Sequence, residues 1–232
     1  MIMTPTKQQF EAFENAYQYF NEVLFHYELP PVILNLSRKS KAMGFVAPFR
    51  WKAADTESTA KKDHIHELSI NPEILCMDLI EVYSTLVHEQ CHIWQYSCGK
   101  PSRTGYHNKE WADKMESVGL MPSSTGRAGG KRTGQNMSDY PIENGVFLRA
   151  LDNMPDSYKL PFISIEGERK YKSVSLGLPG ATNILSDEQE AEPKPKKNKV
   201  KYTCPSCNVN VWGKPDLNVL CGHCESTFLF MG

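Results

Sequence analysis

The chain has 232 residues, 40% of them hydrophobic, and a formal net charge of −1. That length suits one good core plus a small extra module, and no apolar run is long enough to cross a bilayer. Seven cysteines, an odd number with four of them in two C-x-x-C pairs, point away from a disulfide framework and toward metal binding in a reducing compartment. The start, MIMTPTKQQF, lacks the basic-then-apolar layout of a signal peptide, so a soluble cytoplasmic protein with no membrane partner is expected.

Thr4 to Leu29 reads as an amphipathic helix with Thr6 as cap and Phe10, Phe13, Tyr17, Phe20 and Leu24 as its apolar stripe. Leu29-Pro30-Pro31 is expected to end it. Three strands follow by pattern: Val32 to Leu36, Met43 to Phe49 and His66 to Ile70, the last closed by an Asn71-Pro72 turn. A helix, three short strands and then a longer helix predict an α+β domain with a short antiparallel meander sheet. The edge of the third strand is a place where an extended peptide can add by main-chain hydrogen bonds. His64 and His66 read as surface or edge residues.

Leu75, Leu79, Val82, Leu86 and Ile93 recur at helical spacing, and Asp78 stands near the start of that run, where negative charge suits the helix dipole. On this helix lies His88-Glu89-Gln90-Cys91-His92. Residues i and i+4 stack on one helical face, so His88 and His92 can share a metal ion while Glu89 takes a proton from water activated there. This is the H-E-x-x-H arrangement of zinc metalloproteases. Cys91 lies between the two histidines in sequence but about 100° from His92 around the helix, which assigns it to the core. Beyond a Gly- and Pro-punctuated loop, His107 to Val118 reads as a helix with Trp111, Met115 and Val118 on one side. His107 and Glu110 are both candidates for a third ligand.

Residues 121–185 carry Gly126, Gly129, Gly130 and Gly134 with Arg127, Lys131 and Arg132, read as a flexible basic loop able to hold a phosphate or carboxylate. Met137 is a candidate floor for the metal, and Tyr140 a candidate stabiliser of an oxyanion. Tyr158 to Leu178 is expected to add two strands. Residues 186–201 read as an unfolded charged linker, acidic in SDEQEAE and then rich in lysine and proline. Cys204-x-x-Cys207 and Cys221-x-x-Cys224 form two knuckles thirteen residues apart, a zinc-ribbon signature over 202–232. Four thiolates would close the coordination sphere, making this second zinc structural, and about thirty residues need it in order to fold. Lys196, Lys197, Lys199 and Lys201 beside a ribbon bearing Tyr202, Trp212, Phe228 and Phe230 combine cations with stackable rings. That combination suits nucleic acid, with Trp212 as a stacking candidate.

Taken together, LPPVIL at 29–34, Gly44, ELSINPEIL at 67–75, LVHEQCHIWQY at 86–96 and GYHNKEWADKMESVGL at 105–120 resemble the SprT-like family of zinc metalloproteases, which includes Spartan-type DNA-dependent proteases. PSSTGRAGGKRTGQNMSDYPIENGVF at 122–147 resembles segments of phage- or mobile-element-type members. The resemblance implies a zincin-like domain over 1–185, with 121–185 as a family-variable extension, and a C-terminal zinc ribbon. It further implies His88, His92 and His107 as ligands of a catalytic Zn2+ and Glu89 as general base. Substrates would be proteins on DNA, including covalent crosslinks, with single-stranded or damaged DNA as a partner. The rival reading is a nucleic-acid-binding recruitment protein without proteolytic activity.

Overall fold

The computed structural model describes residues 3–38, 42–55, 60, 63–168 and 200–231. They divide between two compact units, Met1–Asp187 and Glu188–Gly232.

In the first unit, helix α1 spans Pro5–Phe25. Its cap is Thr4, whose hydroxyl accepts from the Lys7 N–H, and not Thr6 as expected. Pro5 explains the difference: proline is preorganised for the first helical position, where an N–H has no partner to lose. The helix also stops four residues short of Leu29. His26 and Tyr27 adopt left-handed conformations, φ 52° and 62°, and both donate their N–H to the Asn21 carbonyl. Asn21 then fastens the exit, its side chain donating to Leu29 O (3.2 Å) and accepting from Leu29 N–H (3.0 Å). The stripe Phe13, Tyr17, Phe20 and Leu24 is buried as its spacing predicts, whereas Phe10 stays partly in solvent.

Strands β1 (Val32–Leu36), β2 (Gly44–Trp51) and β3 (Ile65–Ile70) form one sheet, but not a meander. The order is β1-β3-β2, with β1 parallel and β2 antiparallel to β3. The third strand is therefore central and presents no edge to a peptide. Its burial shows why. Leu68 and Ile70 on one face and Ser69 on the other are all essentially inaccessible, so backbone groups on both edges require protein partners. His66 is buried rather than superficial: its Nδ1 accepts the Phe49 N–H at 3.1 Å, and burial lowers its pKa. That bond holds Phe49 in a left-handed turn, φ 55°, inside the register shift between Ala47 and Trp51. On the opposite face, burial alone would raise the Glu67 carboxyl, yet hydrogen bonds from Trp51, Ser69 and Asn35 keep it below its usual range.

Helix α2 (Leu79–Cys98) is capped by Asp78, which accepts the Glu81 N–H at 2.9 Å. Helix α3 (Lys109–Ser117) is capped by Asn108, and Trp111, Met115 and Val118 are fully buried as one face. Strands β4 (Leu120–Ser123) and β5 (Ser138–Pro141) pair as an antiparallel hairpin, followed by helix α4 (Val146–Asp152). Helices α1 to α4 and the three-stranded sheet contribute to one apolar core among the described residues. The two strands expected from Tyr158 are absent from the described part of that stretch. Asp156–Tyr158 is a 3-10 turn, 165–168 is helical, and 169–178 lie outside the described residues.

The second unit is a three-stranded sheet of β6 (Val200–Thr203), β7 (Asn210–Gly213) and β8 (Leu229–Met231) in the order β7-β6-β8. Val200 and Lys201 thus belong to β6 and not to the linker, while Lys196, Lys197 and Lys199 lie outside the described residues. No helix among the described residues is long and apolar enough to cross a membrane.

Replacing Asn21 by Ala strands the buried N–H and C=O of Leu29, each worth roughly 1–3 kcal/mol when unpaired. The variant is expected to lose about 2–4 kcal/mol of stability in a urea titration followed by fluorescence; a change within about 0.5 kcal/mol would disprove this role for the clasp.

Candidate metal centre

Helix α2 carries His88, Glu89 and His92, and its rigidity sets the first two rings 5.2 Å apart between centroids. His107 arrives from the other direction, just before α3. Gln95 on α2 donates to the Asn108 side chain at 2.7 Å, which joins the end of α2 to the cap of α3. On its other side His107 forms an isolated β-bridge with Gly134, N–H to O at 2.7 Å and the reverse bond at 3.1 Å. Its ring then reaches His92, with the two Nε2 atoms 3.1 Å apart. One ligand atom from each of His88, His92 and His107 lies within 4.8 Å of the others.

These residues fit zinc. A tetrahedral ion with Zn–N bonds of about 2.0–2.1 Å needs its nitrogens about 3.3–3.4 Å apart, close to the His92–His107 spacing. Burial, then the neighbouring His88 and His107, drive the His92 pKa well below its usual value. Burial and then His88 push His107 down to about 4. Both rings are therefore neutral near pH 7, as ligands must be. His88 differs: burial would lower its pKa, but the Asp139 hydrogen bond and the charges of Glu89 and Asp139 outweigh that and raise it. Beneath the three rings lies the Trp111 indole, its centroid 4.3–5.3 Å from theirs. Trp111, expected only as helix packing, is thus the aromatic floor of the cluster; Met137 packs at the margin of the core and Tyr140 pairs with Met121 in the hairpin.

Glu89 is 6% exposed and is held against the first residue of β2. A Cβ on Gly44 would come within 2.9 Å of Glu89 Cγ and 3.0 Å of its Oε1, so only glycine leaves room for the carboxylate in this position. Burial pushes the Glu89 carboxyl up to about 7. Glu110, the other candidate third ligand, is committed elsewhere: its Oε2 accepts from Lys100 N–H at 2.7 Å and from Gln95 at 2.8 Å.

Asp139 was missed by the sequence reading. Its Oδ2 lies 2.9 Å from His88 Nδ1, and the two are 51 positions apart with no local motif around SDYP to announce the pairing. The basic loop is also more ordered than expected. Arg132 pairs with Glu116 and, at 3.0 Å, with Asp113, while the Ser123 hydroxyl donates to Arg127 O and accepts two backbone N–H groups. Arg132 is thus occupied by α3 rather than held open for an anion.

In the second unit Cys204, Cys207, Cys221 and Cys224 bring their sulfurs within 4.8 Å of one another. The Cys207–Cys221 separation of 3.8 Å equals the edge of a tetrahedron with Zn–S bonds of about 2.3 Å. Each knuckle is a tight turn closed by main-chain bonds, with Asn208 and Glu225 left-handed at φ 60° and 52°. Backbone N–H groups of Cys207 and Ser206 help lower the Cys204 thiol to about 7. Tyr202 and Phe228 fill the ribbon's small core, whereas Trp212, 63% exposed, pairs across β6–β7 with the exposed Lys201. Cys91 is buried in the core of the first unit, as its helical angle predicts.

Compared with known proteins, the family model described as SprT-like matches residues 13–131, half of the chain. A curated relative, an uncharacterized protein in the mucB 3′ region of Salmonella typhimurium, is 39% identical over 44 residues. The match covers 19% of this chain and 60% of that relative's length. No solved structure matches.

If both clusters hold zinc, metal analysis of the purified chain gives two ions per molecule, and His107→Ala and Cys204→Ser each lower the content to one. A wild-type content of one ion, unchanged in His107→Ala, would remove the histidine cluster from consideration.

Proposed function

The chain belongs to the SprT-like family, and from that premise we propose that it is a zinc-dependent endopeptidase acting on DNA-associated proteins, including covalent DNA–protein crosslinks. The observation that supports this reading is the convergence of His88, His92 and His107 beside a buried glutamate for which Gly44 makes room. Zinc held there would supply Lewis acidity, lowering the pKa of a water molecule and polarising a peptide carbonyl. Glu89 is the general base: it accepts the proton of the attacking water and delivers it to the departing amine. A single carboxylate so placed can serve in both directions. Trp111 excludes water from beneath the rings, and the α2–α3 staple through Gln95 and Asn108 keeps His107 in reach. A buried carboxylate at this position has no use in a purely structural metal site, which favours catalysis over a recruitment role.

The ribbon supports the second half of the reading. Lys201 and Trp212 stand side by side on one face of its sheet, a cation next to an exposed ring, as single-stranded nucleic acid requires. Lys196, Lys197 and Lys199 precede it in sequence and add charge. The same face favours the rival, a DNA-binding module without chemistry, and the two readings part on one variant.

Glu89→Gln keeps the shape and removes the base. It is expected to lower proteolysis of a casein or histone substrate by at least about 100-fold while zinc content stays the same; full activity in this variant would refute the assignment, and no cleavage by wild type with or without single-stranded DNA would favour the rival. Trp212→Ala is expected to weaken single-stranded DNA binding, read by fluorescence anisotropy, by about 1–3 kcal/mol, or roughly 5- to 150-fold. Unchanged affinity would take Trp212 out of the interface.

A further inference from the structure

Two imidazoles of the histidine cluster receive their orientation from a single element outside the metal motif. His88 Nδ1 is 2.9 Å from Asp139 Oδ2, on β5. His107 Nδ1 is 3.3 Å from the carbonyl oxygen of Gly134, in the loop that leads into β5. Both partners accept, so each Nδ1 carries the hydrogen and each Nε2 presents its lone pair inward, where His92 Nε2 and His107 Nε2 already face each other. Asp139 is buried, with a side chain 8% exposed, so its bond to His88 is poorly screened. The segment is itself tied down: Arg132 pairs with Asp113 and Glu116 on α3, and His107 bonds Gly134 through two main-chain hydrogen bonds. Gly134 and Asp139 both lie beyond residue 131, where the family match ends.

We propose that the hairpin of residues 120–141 is an integral outer shell of the metal centre, in which Asp139 is a positioning residue that fixes the ring orientation and tautomer of His88 while Gly134 does the same for His107. A stretch read from sequence as a family-variable extension thus sets how tightly the histidine cluster grips its metal. Loss of a carboxylate behind a ligating imidazole weakens metal binding about 10- to 100-fold, because the ring must then be ordered at the moment of binding and is a poorer donor. This inference rests on the zinc reading of the three histidines.

The test is zinc affinity of the full chain, measured by competition with a chromophoric chelator, with the four-cysteine site as internal reference. Asp139→Ala is expected to weaken the histidine site 10- to 100-fold and leave the cysteine site unchanged. Asp139→Asn keeps an acceptor without the charge and is expected to recover part of the loss, leaving the histidine site about three- to tenfold weaker than wild type. Imidazole 1H–15N correlation spectra give a second readout that a merely structural role would not move: His88 protonated at Nδ1 in wild type and in Asp139→Asn, and a mixture of tautomers in Asp139→Ala. Should Asp139→Ala fail to fold, Asp139→Asn decides alone, with a weakening beyond twofold and an unshifted cysteine site in support. Histidine-site affinity within twofold of wild type in the folded variants overturns the positioning role while leaving the zinc reading intact. A wild-type chain that takes zinc only at the cysteines overturns both.

Discussion

The histidine cluster is governed by the crowding of neutral imidazole lone pairs in a buried space. His92 and His107 point their Nε2 atoms at each other across 3.1 Å above an indole that is wholly out of solvent. At that range the pair is satisfied by a hydrogen on one of the two nitrogens or by a cation between them, provided the surrounding fold holds the rings in place. The fold does much of this. Helix geometry fixes His88 against His92, the Gln95–Asn108 bond and the Gly134 bridge fix His107, and Trp111 closes the space below. A site so over-determined spends little on reorganisation when a metal enters, and this is what preorganisation means for affinity.

The sheet completes the site from the opposite side, and its topology explains how. Because β3 is the central strand, β2 falls next to α2, and the glycine that opens β2 is the residue against which Glu89 rests. Placing the parallel β1 on the far edge keeps the apolar face of the sheet, Leu68 and Ile70, under the helices. The buried polar set on its other face, Glu67 with Ser69, Asn35 and Trp51, is satisfied internally. The sheet thus offers the metal helix a face with one small gap in it.

What was legible in the sequence were the features that depend on short spacings. The i, i+4 histidines, the stripe from Phe13 to Leu24, the Trp111-Met115-Val118 face and the two cysteine knuckles all follow from periods of a few residues, and the structure realises each geometry. Features that depend on distant pairing were not legible. Whether Glu110 or His107 faces the other histidines turns on where Lys100 and Gln95 send their donors. The strand order turns on a parallel pairing between residues 34 positions apart, such as Val32 and His66. Asp139 belongs to the same class, since no pattern in SDYP tells that it faces a histidine on another element. Thr4 against Thr6 was a nearer miss, and Pro5 held the information: a proline reads better just inside a helix than one residue before a cap.

The two clusters differ in the way that separates catalysis from architecture. Four cysteines converge with sulfur spacing that suits a closed tetrahedron, in knuckles turned by main-chain hydrogen bonds, and the four thiols alone make up that cluster. Three histidines leave a fourth direction unassigned, and the neighbouring groups are ionisable: one carboxylate within the motif and one behind the first ring. The negative charge at each cluster is also placed differently. In the ribbon a bound zinc would place it on the ligands themselves, as four thiolates that would outweigh a divalent ion and damp its Lewis acidity. Among the histidines the ligands are neutral and the charge is moved outward to Asp139 and Glu89, so a bound dication keeps most of its pull on a fourth ligand. That distribution of charge, more than the presence of a metal at either end, is the physical reason for placing the proposed chemistry in the first unit and a scaffold in the second.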